Sequence, residues 1–286
     1  MEEPLENLNL ALTSPRTRAP GTIAGYHCVA RQYLTWLGPR IPPVEKDTRM
    51  YFAERRKNGW GEGTLAMLFQ ALKKLHESNG WSWPFTKDDR PIPPSEPNTP
   101  AFTELEVATL IRKRDLYSDG ERFHLALSTI LAPRREELAR VNKKDIKGNT
   151  ILIHTCKRGP ERWHLLPDEI MPVITAYKPN TLWPSALSAM FQRICQKGLG
   201  ETKKDYGWHS IRRTLDTLGP IALAREGLPL TFWADYMRWS KKSMGARILG
   251  SPMAGLYTHP EILSTDRFAL DRVILPIHPL LPYWRD

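Results

Sequence analysis

The sequence predicts a mainly α fold with a small antiparallel β-sheet, an α+β chain in two domains. Three observations predict it. Apolar residues recur at three- and four-residue steps along most of the 286 residues. The period shortens to two only around residues 149–166. Between two helical stretches lies Pro84–Pro100, PFTKDDRPIPPSEPNTP, with six prolines and few apolar residues. Proline removes backbone donors and stiffens an extended chain, so this stretch reads as an interdomain linker.

The elements follow in order. Residues 1–17 are expected to be an N-terminal tail. Residues 18–83 form a small all-helical domain. Ile23, Tyr26, Ala30, Tyr33, Leu34 and Leu37 make one apolar stripe, stopped by Gly38-Pro39. Glu45 to Asn58 is a second candidate helix. Leu65, Leu68, Phe69, Leu72 and Leu75 make a further stripe that ends near Gly80. After the linker, residues 101–286 form the second domain. Thr103 and Glu106 have capping-box spacing ahead of an apolar run, and Arg122 to Ala132 reads as a helix. Asn149 to His154 then reads as a strand, Lys157-Arg158-Gly159-Pro160 as a turn and Arg162 to Leu166 as the return strand. Helical patterning resumes near Asp168 and runs to about Leu275.

Composition narrows the function. Hydrophobic residues make up 41% and charged residues 25%, enough for a packed core. No apolar run approaches the ~18 residues of a membrane-spanning helix. Met1 to Leu10 is acidic and lacks the order of a signal peptide. Cys28, Cys156 and Cys195 are odd in number and widely spaced, which points to a reducing, intracellular setting rather than a disulfide framework. The net charge of +10 makes nucleic acid the default partner, with a merely solvated basic surface as the plain alternative. Residues 1–99 hold thirteen Lys and Arg against eleven Asp and Glu, residues 100–286 twenty-eight against twenty, so the excess sits in the C-terminal part.

No phosphate loop ending in Lys-Ser/Thr and no Gly-x-Ser-x-Gly elbow is present. His154, Cys156 and His164 surround the hairpin, but their spacing matches no common zinc pattern, so no metal and no cofactor is expected.

Four segments carry residues suited to a phosphate. In Leu131-Ala132-Pro133-Arg134-Arg135-Glu136-Glu137-Leu138, Arg134 and Glu137 share a helix face, which alone reads as a surface ion pair. In Thr155-Cys156-Lys157-Arg158-Gly159-Pro160, Lys157 stands at the hairpin tip, which alone reads as an exposed turn lysine. In Trp208-His209-Ser210-Ile211-Arg212-Arg213, His209 and Arg212 share a face at a helix start. They can bind two oxygens of one phosphate or simply cap the helix. In Leu256-Tyr257-Thr258-His259-Pro260, Tyr257 by itself reads as a core or interface tyrosine.

Together and in this order, Arg, Lys, His-x-x-Arg and Tyr-Thr-His resemble the tyrosine recombinase (phage integrase) family over about residues 103–263. The helical 18–83 segment resembles that family's core-binding domain by pattern and placement rather than by motifs. Trp239 in Met237-Arg238-Trp239-Ser240 resembles the residue that follows the His-x-x-Arg helix. It stands eighteen residues before Tyr257, a longer gap than the resemblance leads one to expect, with an extra segment near Gly245 to Pro252. Ala132-Pro133 replaces the small-turn pair, Gly-Leu, that usually precedes the first arginine.

The resemblance implies a C-shaped clamp on double-stranded DNA at a specific core site, with an integrase-type catalytic domain. It implies a Tyr257 nucleophile forming a 3′-phosphotyrosyl intermediate. Arg134, Arg212 and His209 would then lie on the phosphate, Lys157 on the leaving 5′-oxygen and Trp239 against the site. It also implies a homotetramer on DNA, room for accessory DNA-bending factors and a cytoplasmic, nucleoid-associated protein of prokaryotic or mobile-element origin. A non-catalytic integrase-derived DNA-binding protein and a relaxing type IB topoisomerase are the alternatives. The apolar C-terminal run Phe268 to Trp284 is expected to be an assembly tail that docks on a neighbouring protomer, the alternative being packing on its own domain.

Overall fold

The computed structural model describes residues 2–13, 20–93, 99–156, 160–239 and 266–285. The chain divides into two compact units, Met1–Pro97 and Asn98–Asp286.

The first unit is helical. It contains α1 (Glu2–Thr13), α2 (Pro20–Leu37), α3 (Glu45–Lys57) and α4 (Glu62–Ser78). The expected stripes of α2 and α4 pack on one another, burying Tyr33, Leu34, Leu68, Leu72 and Leu75. The N-terminal tail expected over residues 1–17 is instead helical from Glu2 to Thr13. Leu8 and Leu12 of α1 are fully buried against α2 and α4. These two leucines are four apart on one helix face, a pattern too short to stand out in a sequence but sufficient once two partner helices exist.

The expected linker also starts too early. The Pro84 carbonyl accepts a hydrogen bond from Arg49, and Phe85 meets Phe52, Phe69 and Trp83 at ring-centroid distances of 5.0, 5.7 and 5.3 Å. Its first two residues therefore belong to the first unit.

The second unit is built around α6 (Asp119–Ile130), where Phe123, Leu125, Ala126, Leu127 and Ile130 are fully buried. Ahead of it, α5 (Glu104–Arg112) starts with the expected capping box. Glu106 N–H donates to Thr103 Oγ1 at 3.2 Å and Thr103 N–H to Glu106 Oε2 at 2.9 Å. The short α7 (Arg135–Leu138) leads to a three-stranded antiparallel sheet of order β1-β2-β3. Its strands are β1 (Ile146–Lys147), β2 (Thr150–Ile153) and β3 (Arg162–Leu165), with Thr150 opposite Leu165 and Ile153 opposite Arg162. The two-residue β1 is too short to carry an alternation and was not legible in the sequence.

There follow α8 (Met171–Ala176), α9 (Pro184–Leu199), α10 (Trp208–Arg225), α11 (Leu230–Tyr236) and α12 (Ala269–Ile274). No helix among the described residues is long and apolar enough to cross a membrane.

The apolar residues of the C-terminal run pack on their own domain. Ile274, Leu280, Leu281 and Trp284 are buried in the core of their own unit. The Trp284 indole N–H donates to Thr129 Oγ1 at 3.0 Å, His278 Nε2 to the Ile130 carbonyl at 3.0 Å and the Tyr283 hydroxyl to Glu104 at 2.7 Å. The tail's apolar residues cover the end of α6, which would otherwise expose its own apolar face to water.

Candidate active site

Three chain segments far apart in sequence meet behind the candidate site: the turn after α6, the first half of α10 and the end of α11. Pro133 lacks an N–H and cannot continue α6. The chain turns through Ala132, which takes a left-handed φ of 45°. That conformation costs a residue with a Cβ on the order of 1 kcal/mol. The turn delivers Arg134 to the N-terminal end of α7.

Arg134 and Glu137 do not form the exposed surface pair their spacing alone suggests. Arg134 Nη1 lies 2.5 Å from Glu137 Oε1, and the Arg134 backbone N–H donates to Oε2 at 2.9 Å. Glu137 is fully buried and Arg134 mostly so. The Cys156 N–H also approaches Glu137 Oε1, at 3.5 Å, bringing the start of the hairpin turn to the same carboxylate. Burial by itself would raise the Glu137 carboxyl, but the Arg238 and Arg134 charges and the Arg134 N–H outweigh it and hold it below the usual range.

The Trp208 indole anchors the start of α10 by donating to the Leu187 carbonyl at 2.7 Å. His209 is exposed in that first turn, and Arg212, one turn later, is buried. The shared face expected from their spacing thus runs from the surface inward. Arg212 donates through one Nη to the Ala132 carbonyl and through the other to the Met237 carbonyl at 2.7 Å. Burial, and then the neighbouring Arg238 charge, push the Arg212 guanidinium down to about 9, still protonated at neutral pH.

At the end of α11 the chain turns through Arg238, with a left-handed φ of 56°. Trp239 N–H closes the turn on the Ala234 carbonyl at 2.9 Å, and its ring is half-buried against the core. The Arg238 guanidinium is fully buried, which lowers it to about 10. It donates to the Leu131 carbonyl at 2.9 Å and to His164 Nε2 at 2.8 Å, and lies 3.8 Å from Glu137. His164 in turn lies 2.8 Å from Asp271 of α12, which also accepts from Arg162 at 3.2 Å.

The residues read from the sequence therefore divide. Arg134 and Arg212 converge on the turn 131–134. His209 stands at the head of the helix carrying Arg212, and Trp239 follows the turn that Arg212 clasps. Lys157 and Tyr257 lie outside the described residues, as does the extra segment near Gly245 to Pro252.

Arg238, His164 and Asp271 were missed. An arginine between Met237 and Trp239 carries no periodic or spacing signal, and its burial depends on partners over a hundred residues earlier in the chain. The hairpin residues weighed as metal ligands separate. His154 bonds Glu161 and Asp145, whereas His164 faces Asp271 and Arg238. No cluster of three metal-ligating side chains occurs among the described residues.

Solved structures share this architecture. A lambda integrase dimer bound to a COC′ core site aligns with a TM-score of 0.61 at 14% identity, over 87% of this chain and 94% of that one. The Tn1549 transposon integrase in complex with circular intermediate DNA aligns with a TM-score of 0.58 at 14% identity, over 94% and 98%. The chain has the fold of the tyrosine recombinases. XerH recombinase bound to its difH substrate in a pre-cleavage complex has the same fold, with a TM-score of 0.53 at 14% identity over 84% of each chain. No family model and no curated protein matches the chain in sequence. Within this fold, Arg212 ties the 131–134 turn, which carries Arg134, to the turn at 237–238 that precedes Trp239.

Proposed function

We propose that this chain is a site-specific DNA recombinase that cleaves and rejoins strands through a 3′-phosphotyrosyl intermediate. The observation that carries the reading is the convergence of Arg134 and Arg212 on one turn, in a chain that supplies Lys157, His209 and Tyr257 in family order. Two preorganised guanidiniums offer forked donors where negative charge builds up on the nonbridging oxygens of an attacked phosphate.

In this reading the Tyr257 oxygen bonds to phosphorus and the 5′-oxygen leaves. His209 helps to accept the tyrosine proton, and Lys157 supplies a proton to the departing oxygen. The 5′-hydroxyl of a partner strand then attacks the phosphotyrosine and releases the enzyme. The phosphodiester energy is kept in the covalent link, so no nucleotide cofactor is consumed. The partner is duplex DNA with a specific core site, and exchange between strands calls for a multimer on that DNA. The excess of basic residues in the second unit suits such a partner.

The test is a nicked suicide duplex, which traps a covalent adduct visible on a denaturing gel. The wild-type chain forms the adduct, and Tyr257→Phe abolishes it while leaving DNA affinity nearly intact. An adduct that persists in the variant moves the nucleophile elsewhere. DNA binding without any adduct points to the non-catalytic alternative, and relaxation of supercoils by a monomer without a preferred site points to a topoisomerase.

A further inference from the structure

Arg238 is buried completely and sits in a backbone conformation that disfavours any side chain. A glycine would be less strained at φ 56°. The buried Glu137 carboxylate is the one nearby anion among the described residues that faces this cation directly, and desolvating a guanidinium is costly unless it is well engaged. Both of its Nη groups are engaged, one of them also 3.4 Å from the Tyr236 carbonyl, whereas its Nε is buried with no hydrogen-bond partner among the described residues. The guanidinium bonds the Leu131 carbonyl next to the Ala132 turn, faces the Glu137 carboxylate that Arg134 also grips, and donates to His164 Nε2.

A guanidinium only donates, so His164 Nε2 must be the acceptor and its proton must sit on Nδ1, donating to Asp271. The depressed basicity of His164, caused first by burial, agrees with a neutral ring. The chain of bonds therefore has one direction, Arg238 to His164 to Asp271.

Arg238 and Arg212 also interleave. Arg212 bonds the carbonyls of Ala132 and Met237, and Arg238 that of Leu131. Two guanidiniums from different segments thus stitch the 131–132 turn to the 237–238 turn.

From this geometry we infer that Arg238 is a positioning residue: through Glu137 and the Leu131–Ala132 turn it sets the guanidiniums of Arg134 and Arg212 against the phosphate. The inference rests on the recombinase reading for its catalytic consequence, but its structural half stands on the free protein. Arg238 itself touches no reacting atom in this scheme. Its bonds to the Leu131 carbonyl and His164 fix the guanidinium that faces Glu137, and Glu137 in turn holds Arg134. Without Arg238 the Glu137 carboxylate loses one of its two ion-pair partners among the described residues and keeps Arg134. The pair is then free to shift by a fraction of an ångström to an ångström.

Two variants, Arg238→Gln and Arg238→Lys, are compared with the wild-type chain by two measurements. The first is the rate of adduct formation on the suicide duplex at saturating DNA, beside the Kd for the same duplex. A displaced catalytic group costs up to about 100-fold in rate, so Arg238→Gln is expected to cleave about 10- to 100-fold more slowly with Kd changed less than about threefold. Arg238→Lys restores part of the rate, because an ammonium can reach Glu137 or His164 but cannot span both together with Leu131. The second measurement is the guanidinium NMR signal of Arg134 in free protein, assigned by its loss in Arg134→Lys. It moves and loses its slowed rotation in Arg238→Gln.

An unchanged Arg134 signal, or an unchanged cleavage rate in both variants, overturns the inference. So does a parallel loss of binding, cleavage and cooperative unfolding in Arg238→Gln with no rescue by lysine, since that marks a residue needed only for folding. If the wild-type chain forms no adduct, the recombinase reading fails by itself, and the Arg134 signal still decides whether Arg238 holds that side chain.

Discussion

Arg212 hydrogen-bonds the Ala132 carbonyl from eighty residues further along the chain. The bond joins two parts of the candidate site that sequence motifs treat as independent. Ala132 presents its carbonyl because it turns through a left-handed φ, and Pro133 makes that turn necessary by ending α6. The Ala132-Pro133 departure from the usual motif is thus accommodated by a strained alanine whose carbonyl is engaged by Arg212.

The buried Glu137 is the shared counter-ion of Arg134 and Arg238. Glu137→Gln leaves two guanidiniums without their carboxylate, and removing one member of a buried ionic cluster costs about 3–5 kcal/mol. Urea unfolding of the full chain is expected to show a loss of this size. A loss below about 1 kcal/mol, the range of exposed pairs, would mean that solvent screens the cluster.

Gly219 of α10 is a packing requirement. A Cβ there would stand 1.9 Å from the Trp233 ring of α11. The indole is rigid and buried, so the helices must separate. Gly219→Ala is expected to destabilise the chain by about 1–3 kcal/mol despite alanine's better helix propensity. A thermal melt at or above the wild-type midpoint would contradict the close approach.

The C-terminal tail should act as core. Trp284→Ala removes a buried indole and its bond to Thr129, and large-to-small changes of this kind cost about 3–5 kcal/mol. Truncation after Asp266 removes the cover over the C-terminal end of α6. Chemical denaturation of the truncated chain is expected to show the cooperative unfolding of the second unit lost. A truncated chain with the wild-type midpoint would show the tail to be dispensable for folding and return it to a role in assembly.

Stability should fall on mild acidification. Burial lowers His164 to about 4 and His278 to about 3, against an ordinary value near 6.5. Below pH 6.5 the unfolded chain takes up protons that the folded chain refuses. Stability is therefore complete above that pH and is lost as pH falls toward about 4 and about 3, by up to about 1.4 kcal/mol per pH unit for each proton. His154, raised by Glu161 and Asp145, works in the opposite sense but is largely solvated. Glu121 falls in a separate, lower window. Burial opposes its ionisation, but Lys197, Ser118 and Arg193 outweigh this and hold it at about 2, so its contribution is lost only between pH 4.5 and about 2. Denaturant titrations at pH 7, 6 and 5 check the histidine window, and His278→Gln should flatten the slope there. An unchanged slope in the variant would place the proton uptake on other groups.

The sequence by itself determined the mainly helical class, the hairpin at residues 150–165, the division near the proline-rich stretch and the order of the motif residues. These depend on local period, capping and turn chemistry, which a single chain segment carries within a few residues. Only the tertiary structure decided that Leu8 and Leu12 belong to a core, that Trp284 covers α6 and that Arg134 and Glu137 are buried. The same apolar tail satisfies a neighbour's groove or its own helix equally well as a pattern. Which one it meets depends on whether the Ile130 carbonyl and Thr129 hydroxyl lie within reach, and they do. Arg238 is the limiting case. Its partners Leu131, Glu137 and His164 are distant in sequence, and a buried arginine is tolerable only where such partners converge, so its role came into view only once the fold had brought them together.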